Sequence, residues 1–179
     1  MGGALSEIEF GILYRLQELH GPLLDRFMMF VTFLGNAGWF FIVAGAVMLC
    51  FAKTRRVGLA VLISLAVGFL LGNLLIKNLV MRDRPCWLDP GIALLIQSPD
   101  DYSFPSGHTL ASFEAAVSVF LYHRRWGYAF LALAVLIGFS RMYLFVHFPS
   151  DVLAGAVLGS LIAAGVHVVL EKRKKCGIL

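Results

Sequence analysis

The chain has 179 residues, of which 59% are hydrophobic and only 15% charged, with a formal net charge of +4 and a mean hydropathy of +0.82. These proportions exclude a disordered chain and an ordinary soluble domain. The charges gather into short clusters between long apolar runs, as expected of a multi-pass membrane protein.

The opening segment, MGGALSEIEF, is acidic and lacks the basic flank and apolar core of a cleavable signal, so the spans themselves are expected to direct insertion. Leu5, Ile8, Ile12, Leu16 and Leu19 recur at helical spacing, with Glu7, Glu9, Arg15 and Glu18 on other faces. Ser6 and Glu9 fit a capping box, and Gly21-Pro22 fits a stop. The pattern predicts an amphipathic helix within 1–22, lying at the membrane interface or packed on the protein's own outer loops.

Apolar segments follow at 27–52, 57–76, 109–122, 126–146 and 152–170. The first is interrupted by Gly35-Asn36-Ala37-Gly38 and reads either as one span or as a half-embedded helix followed by a shorter span from near Trp39. The third is short and contains Glu114, and the fourth contains Arg141. The expected fold is all-α: one polytopic membrane helix bundle of about five transmembrane helices over 27–170, with the N-terminal amphipathic interfacial helix before it and a basic tail at 171–179. Three cysteines, Cys50, Cys86 and Cys176, show no metal-type spacing, so neither a disulfide framework nor a zinc site is expected.

Lys53, Arg55, Arg56, Arg124, Arg125 and the Lys172-Arg173-Lys174-Lys175 run fall on one side of such a bundle, which the bias of basic residues marks as cytoplasmic. The C-terminus is then cytoplasmic and the N-terminus outside. The opposite face holds Arg15, Arg26, Lys77, Arg82, Arg84 and Arg141. Cations that stay outside against the bias need a reason, and an anionic substrate supplies one.

Three clusters converge on that outer face. In the first, Lys77 and Arg84 are seven residues apart, two turns on nearly the same face if the helix continues, with Asn73 four residues before Lys77 and Pro85 ending the helix just after Arg84. In the second, Pro105-Ser106-Gly107-His108 precedes an apolar helix. Ser106 can cap it, Gly107 permits close backbone approach, and the free N–H groups of the first turn suit a phosphate that His108 would adjoin. In the third, Arg141 comes six residues before His147, Asp151 follows His147 by four, and Pro149 marks the start of the last helix. A carboxylate beside an imidazole can hold one ring N–H and leave the other nitrogen free to attack. Two histidines, one carboxylate and three cations make a phosphoryl-transfer set, a reaction that needs mainly positioning and charge stabilisation.

The ordered patterns K-x6-RP, PSGH and SR-x5-H-x3-D, running from Lys77 to Asp151, resemble the three-part signature of the type 2 phosphatidic acid phosphatase superfamily. That superfamily includes membrane lipid phosphatases, undecaprenyl-diphosphate phosphatases, glucose-6-phosphatases and vanadium haloperoxidases. The resemblance implies that His147 attacks phosphorus to form a phosphohistidine, with Asp151 orienting it. It implies that His108 protonates the leaving oxygen and later activates water. Lys77, Arg84 and Arg141 would bind the phosphoryl oxygens, helped by the Ser106 hydroxyl and the Gly107 N–H. It further implies metal-independent chemistry with no cofactor, and inhibition by vanadate. The short chain is similar to five-span bacterial undecaprenyl-diphosphate phosphatases.

Singly, the three cations would read as snorkelling interface residues and the two histidines as satisfied ones. His20, His123 and His167 are expected to be structural, and Trp39, Trp87 and Tyr102 to be interface anchors. Arg82 and Asp83 read as a local pair or a rim that tunes access. Glu114 reads as a supporting or water-access residue, or as a polar contact between helices. The apolar run 92–96 packs over the bundle or guides a lipid tail.

The expected activity is removal of phosphate from a membrane lipid phosphate or diphosphate at the extracytoplasmic face of a plasma membrane. Undecaprenyl diphosphate leads because the site faces outward. Phosphatidylglycerol phosphate, phosphatidic acid and a lipid A phosphate are alternatives with the same chemistry. A non-catalytic lipid-phosphate binder or transporter and a soluble-substrate phosphatase or haloperoxidase are rivals of other classes. The expected partners are the lipid phosphate substrate and membrane lipids, with no nucleic acid.

Overall fold

A computed structural model describes residues 3–175, and every regular element among them is helical. Residues 176–179, the end of the expected basic tail with Cys176, lie outside the described residues. Helix α1 spans Ala4–Gln17, and Pro22 opens α2, Pro22–Gly35, at the first helical position where its missing N–H costs nothing. The Gly35–Gly38 interruption is a real break: a 3-10 turn at Asn36–Gly38, with Ala37 at φ 48° and Gly38 at φ 66°, separates α2 from α3, Trp39–Cys50. Helix α4, Arg55–Gly68, runs into a π-helical stretch, Phe69–Ile76, and a last turn, α5, Lys77–Val80. A single turn, α6, Pro85–Leu88, opens the long loop that leads to α7, Gly107–Tyr122. Helices α8, Arg124–Tyr143, and α9, Pro149–Lys175, complete the bundle.

Among the described residues, four helical stretches are long and apolar enough to cross a membrane: Pro22–Cys50, Arg55–Leu88, Arg124–Tyr143 and Pro149–Lys174. The expected third span, α7, has only 16 residues, half of them buried, because it is the central helix and packs most extensively against α8 and α9. A helix surrounded by protein does not need the length or uniform apolarity of one facing lipid. Gly155 and Gly159 explain how closely α9 meets α7. A Cβ at Gly155 would come within 2.7 Å of the Ser106 carbonyl oxygen, and one at Gly159 within 2.5 Å of that of Leu110. This backbone contact brings the start of α9 beside the start of α7. The other face of α9 exposes Leu153, Val157 and Leu161, as a lipid-facing helix should.

Helix α1 departs from its expected capping. Gly3 is the N-cap and Ser6 lies within the helix, so no Ser6–Glu9 capping box forms. Leu5, Ile8, Ile12 and Leu19 are exposed, whereas Glu9 and Leu13 are buried against the bundle. The run 92–96 takes the packing alternative, with Ile92, Leu94, Leu95 and Ile96 set against the core cluster around Tyr143 and Phe145. Among the described residues, Cys50 and Cys86 form no disulfide.

Candidate active site

The corner between α8 and α9 carries three of the expected residues. Arg141 is in the last turn of α8, His147 is in the connection, and Asp151 is in the first turn of α9, which Pro149 starts as expected. All three are almost fully buried. Asp151 Oδ2 accepts from the Phe148 N–H at 2.8 Å and from the Ser103 hydroxyl at 2.5 Å, and Oδ1 accepts from Arg82 at 2.7 Å. His147 Nδ1 stands 3.7 Å from Asp151 Oδ2, beyond hydrogen-bond range, but 3.3 Å from the Ser103 oxygen. A carboxylate only accepts, so Ser103 spends its one proton on Asp151 and accepts from the His147 Nδ1–H. On the other side of the ring, Arg84 Nη1, a pure donor, lies 3.1 Å from Nε2. Both contacts demand the same tautomer, with the proton on Nδ1 and the lone pair on Nε2. Burial, then the charges of Arg84, Arg141 and Lys77, hold this imidazole well below its ordinary pKa, which keeps it neutral.

Lys77 and Arg84 reach the same place by a different route from the one their spacing suggests. The helix does not continue to Arg84: it ends at Val80, and Met81 takes a left-handed conformation at φ 48°. Pro85 forces the residue before it out of the helical region, and Arg84 is extended at φ −81°, ψ 152°. The segment folds back, and the Arg82 carbonyl accepts the Ser103 N–H at 2.8 Å. Asn73 does not support Lys77. The π-helical turn carries it against Gly107 instead, where a Cβ would lie 2.7 Å from its Oδ1.

The two cations already hold an anion. The Asp101 carboxylate pairs with Lys77 Nζ and, at 2.7 Å, with Arg84 Nη2, while the Asp101 carbonyl accepts from Arg84 Nε at 2.6 Å. Burial alone would raise the Asp101 pKa, but Lys77 and Arg84 outweigh it and bring it down to about 2. Arg84 also donates to the Val146 carbonyl at 2.7 Å, tying this arm to the His147 corner. Arg141 donates through Nη1 to Thr32 Oγ1 at 2.6 Å, and its Nε has no partner among the described residues.

Helix α7 supplies the second histidine. Ser106 occupies the N-cap position, but its side chain makes no capping hydrogen bond: the hydroxyl is buried, accepts from Thr109 Oγ1 at 3.0 Å, and does not line the cavity. Its N–H is likewise taken, by the Asp151 carbonyl at 3.1 Å. Gly107 and His108 do line the cavity, and His108 Nε2 lies 2.8 Å from Asn36 Oδ1, which fixes the ring from the break between α2 and α3. Lys77, Arg84, Gly107, His108, Arg141 and His147 thus share the wall of one cavity of about 1000 Å³. Asp151 and Ser106 stand behind that wall. Away from the charged end the lining turns apolar, with Ile42, Leu62, Leu65, Phe69 and Leu110. Glu114 also lines it, packed against Gly68 and Gly159 with Oε1 unpartnered among the described residues.

The family model described as the PAP2 superfamily matches residues 55–175. The chain belongs to the PAP2 superfamily. It is 36% identical to an undecaprenyl-diphosphatase of Sulfolobus acidocaldarius over 78% of this chain and 68% of that one. It is 33% identical to phosphatidylglycerophosphatase B of Bacillus subtilis over 86% of this chain and 79% of that one. The crystal structure of a transmembrane PAP2 type phosphatidylglycerolphosphate phosphatase from Bacillus subtilis superposes with a TM-score of 0.79 at 30% identity, covering 96% of this chain and 88% of that one. This PAP2 chain is therefore a multi-pass membrane protein of the lipid phosphatase kind.

Sequence reasoning missed Ser103, Asp101, Asn36 and Thr32. Ser103 lies two residues before Pro105 and Asp101 four before it, close enough to the PSGH cluster to have been questioned. Asn36 is the one polar residue in the interruption of an apolar span, where irregular backbone in a membrane protein tends to line a cavity. Arg82 is neither a local partner of Asp83 nor a rim, since its guanidinium points inward to Asp151 and Glu9. His20, bonded to the Tyr143 carbonyl at 3.1 Å, and His167, edge-on to Tyr122, take structural places.

Proposed function

We propose that this protein releases phosphate from a membrane lipid diphosphate or monophosphate through a phosphohistidine formed on His147. The observation that carries the reading is the His147 ring, with its Nε2 lone pair at the charged wall of the cavity and its Nδ1–H held by Ser103, whose own hydroxyl is anchored on Asp151. In the first step the Nε2 lone pair forms the bond to phosphorus while the bond to the leaving oxygen breaks, and His108 gives that oxygen a proton. In the second, water attacks phosphorus, His108 takes its proton, and the N–P bond breaks to return neutral His147 and free phosphate. Lys77, Arg84 and Arg141 supply three positive charges for the phosphoryl oxygens, and Gly107 lies at the same wall. A charge set of this kind supplies the positioning and charge stabilisation that phosphoryl transfer chiefly needs.

The cavity argues for a lipid. Its cations stand at one end and its apolar lining continues between α3, α4 and α7, so a phosphate can be held while its chain remains in a hydrocarbon-like surround. Undecaprenyl diphosphate is the leading substrate, supported by the undecaprenyl-diphosphatase relative and by the expected outward-facing site. Phosphatidylglycerol phosphate is the second reading, supported by the Bacillus subtilis relative and the superposed fold.

Purified protein in detergent with excess EDTA, given each lipid in turn, should release phosphate from one of them, and His147→Ala should not. Acid-labile phosphate trapped on wild-type protein but absent from His147→Ala would support the intermediate. Full turnover by His147→Ala would refute it.

A further inference from the structure

Helix α1 lies outside the 55–175 segment matched by the family model, yet it places a buried carboxylate one residue from the catalytic corner. Glu9 is 2% exposed. Its Oε1 accepts from the Ser150 N–H at 3.0 Å and the Ser150 hydroxyl at 2.5 Å, and its Oε2 accepts from Arg82 Nη2 at 2.5 Å. Arg82 turns its other nitrogen, Nη1, to Asp151 Oδ1 at 2.7 Å and to the Ser150 oxygen at 2.6 Å. The guanidinium is sandwiched further by the Phe148 ring, 4.1 Å from its centroid. The same residue accepts the Ser103 N–H on its carbonyl, which sets the hydroxyl that stands between Asp151 and His147.

Every partner of Glu9 is therefore also a partner or chain neighbour of Asp151. A planar fork holding two carboxylates at fixed angles constrains both, in a way a lysine could not reproduce. With Arg82 on Oδ1, and Ser103 and the Phe148 N–H on Oδ2, the Asp151 carboxylate cannot rotate without breaking at least one charge-assisted bond.

We propose that Glu9 and Arg82 are positioning residues for the reaction: the pair fixes Asp151, and through Ser103 the His147 ring, so that the N-terminal helix is a working part of the active site. The inference rests on the reading of His147 as the nucleophile. It also gives α1 two faces with different tasks. Leu5, Ile8 and Ile12 are exposed on the outer face, while Glu9 on the inner face is buried and shares Arg82 with the orienting carboxylate.

The test uses the full chain in detergent micelles, with kcat and KM measured separately for Glu9→Gln, Arg82→Gln, Arg82→Lys and His147→Ala, and thermal unfolding recorded for each. Glu9→Gln and Arg82→Gln should lower kcat on the order of 10- to 100-fold, the scale of a small misplacement of reacting groups. KM should stay within about 2-fold, because Lys77, Arg84 and Arg141 are untouched. Arg82→Lys should recover part of the loss, since it keeps the charge but not the fork. A general loss of packing would instead lower melting temperature and move KM with kcat, and would overturn the proposal. Wild-type kcat in folded Glu9→Gln, with His147→Ala inactive, would overturn the positioning role alone. Turnover by His147→Ala would overturn the reading beneath it. Should Arg82→Gln fail to fold, the isosteric Glu9→Gln decides the matter.

Discussion

Arg141, His147 and Asp151 stand on one short helix–helix corner, whereas Lys77 and Arg84 are parted by a helix end and a left-handed Met81, with Arg84 held extended by the proline after it. The corner is held by neighbours in sequence, with the Phe148 N–H on Asp151 and the Val146 N–H on the Arg141 carbonyl. The arm is held from a distance, by Asp101 and Tyr102 in the long loop and by Val146 on the corner itself. The difference teaches that the place of the proposed nucleophile is built into local backbone, while the cations that meet it depend on a loop being seated.

The largest expected effect breaks the corner. His147→Ala should lower kcat at least about 10⁴-fold, as loss of a nucleophile does, with lipid binding retained in a pull-down on substrate-containing micelles. Arg84→Lys tests the join between the two regions. One ammonium cannot replace a fork that serves Val146, His147, Asp101 and Tyr102, so kcat/KM should fall on the order of 10²- to 10³-fold despite the conserved charge. Ser103→Ala leaves Asp151 and His147 3.7 Å apart with nothing between them, and should reduce kcat roughly 10-fold or more with little change in KM. Ser103→Thr, which keeps the hydroxyl, should retain more of the rate than Ser103→Ala.

Asp101→Asn sharpens the comparison from the side of the arm. It frees Lys77 and Arg84 from an exposed carboxylate, so KM should fall by about 2- to 5-fold, the range of a solvent-screened ion pair. The smallest effects concern pH. His147 must be neutral to attack, and its depressed pKa should set the acid limb of the kcat/KM profile below the ordinary histidine value of about 6.5. A limb at or above that value would contradict the geometry. The same shift means the unfolded chain binds this proton more readily, so stability falls as pH drops below about 6.5. Asp101, ionised down to about 2, stabilises the fold above about 4 and ceases to do so as pH falls through its folded value. Asp101→Asn should therefore flatten the acid end of an unfolding profile.

The legible parts of the site were those whose spacing is completed within one turn or one corner. The four residues from His147 to Asp151 straddle a proline that starts a helix, and Ser106 marks the start of the helix that carries His108 in its first turn. The seven residues from Lys77 to Arg84 were misread as a helix because periodicity does not reveal where a helix gives out, although Pro85 carried the warning. Glu9 was read from its position on a helix face, but which face meets the protein is decided by packing across 141 residues of sequence, to Ser150. The short α7 was legible as apolar but not as central, since a length shorter than the bilayer has the same appearance whether the helix is enclosed or exposed.

The Asp101 contact bears on how each catalytic round would close. In the proposed cycle, once the lipid product has left and the phosphohistidine is hydrolysed, inorganic phosphate would sit on the cations that a carboxylate of this chain also seeks. Asp101 pairs with Lys77 and Arg84, and its return to them would compete with that phosphate and help expel it. The contact that weakens substrate capture thus guards against clogging by product, and Asp101→Asn should be inhibited by free phosphate at lower concentration than wild type.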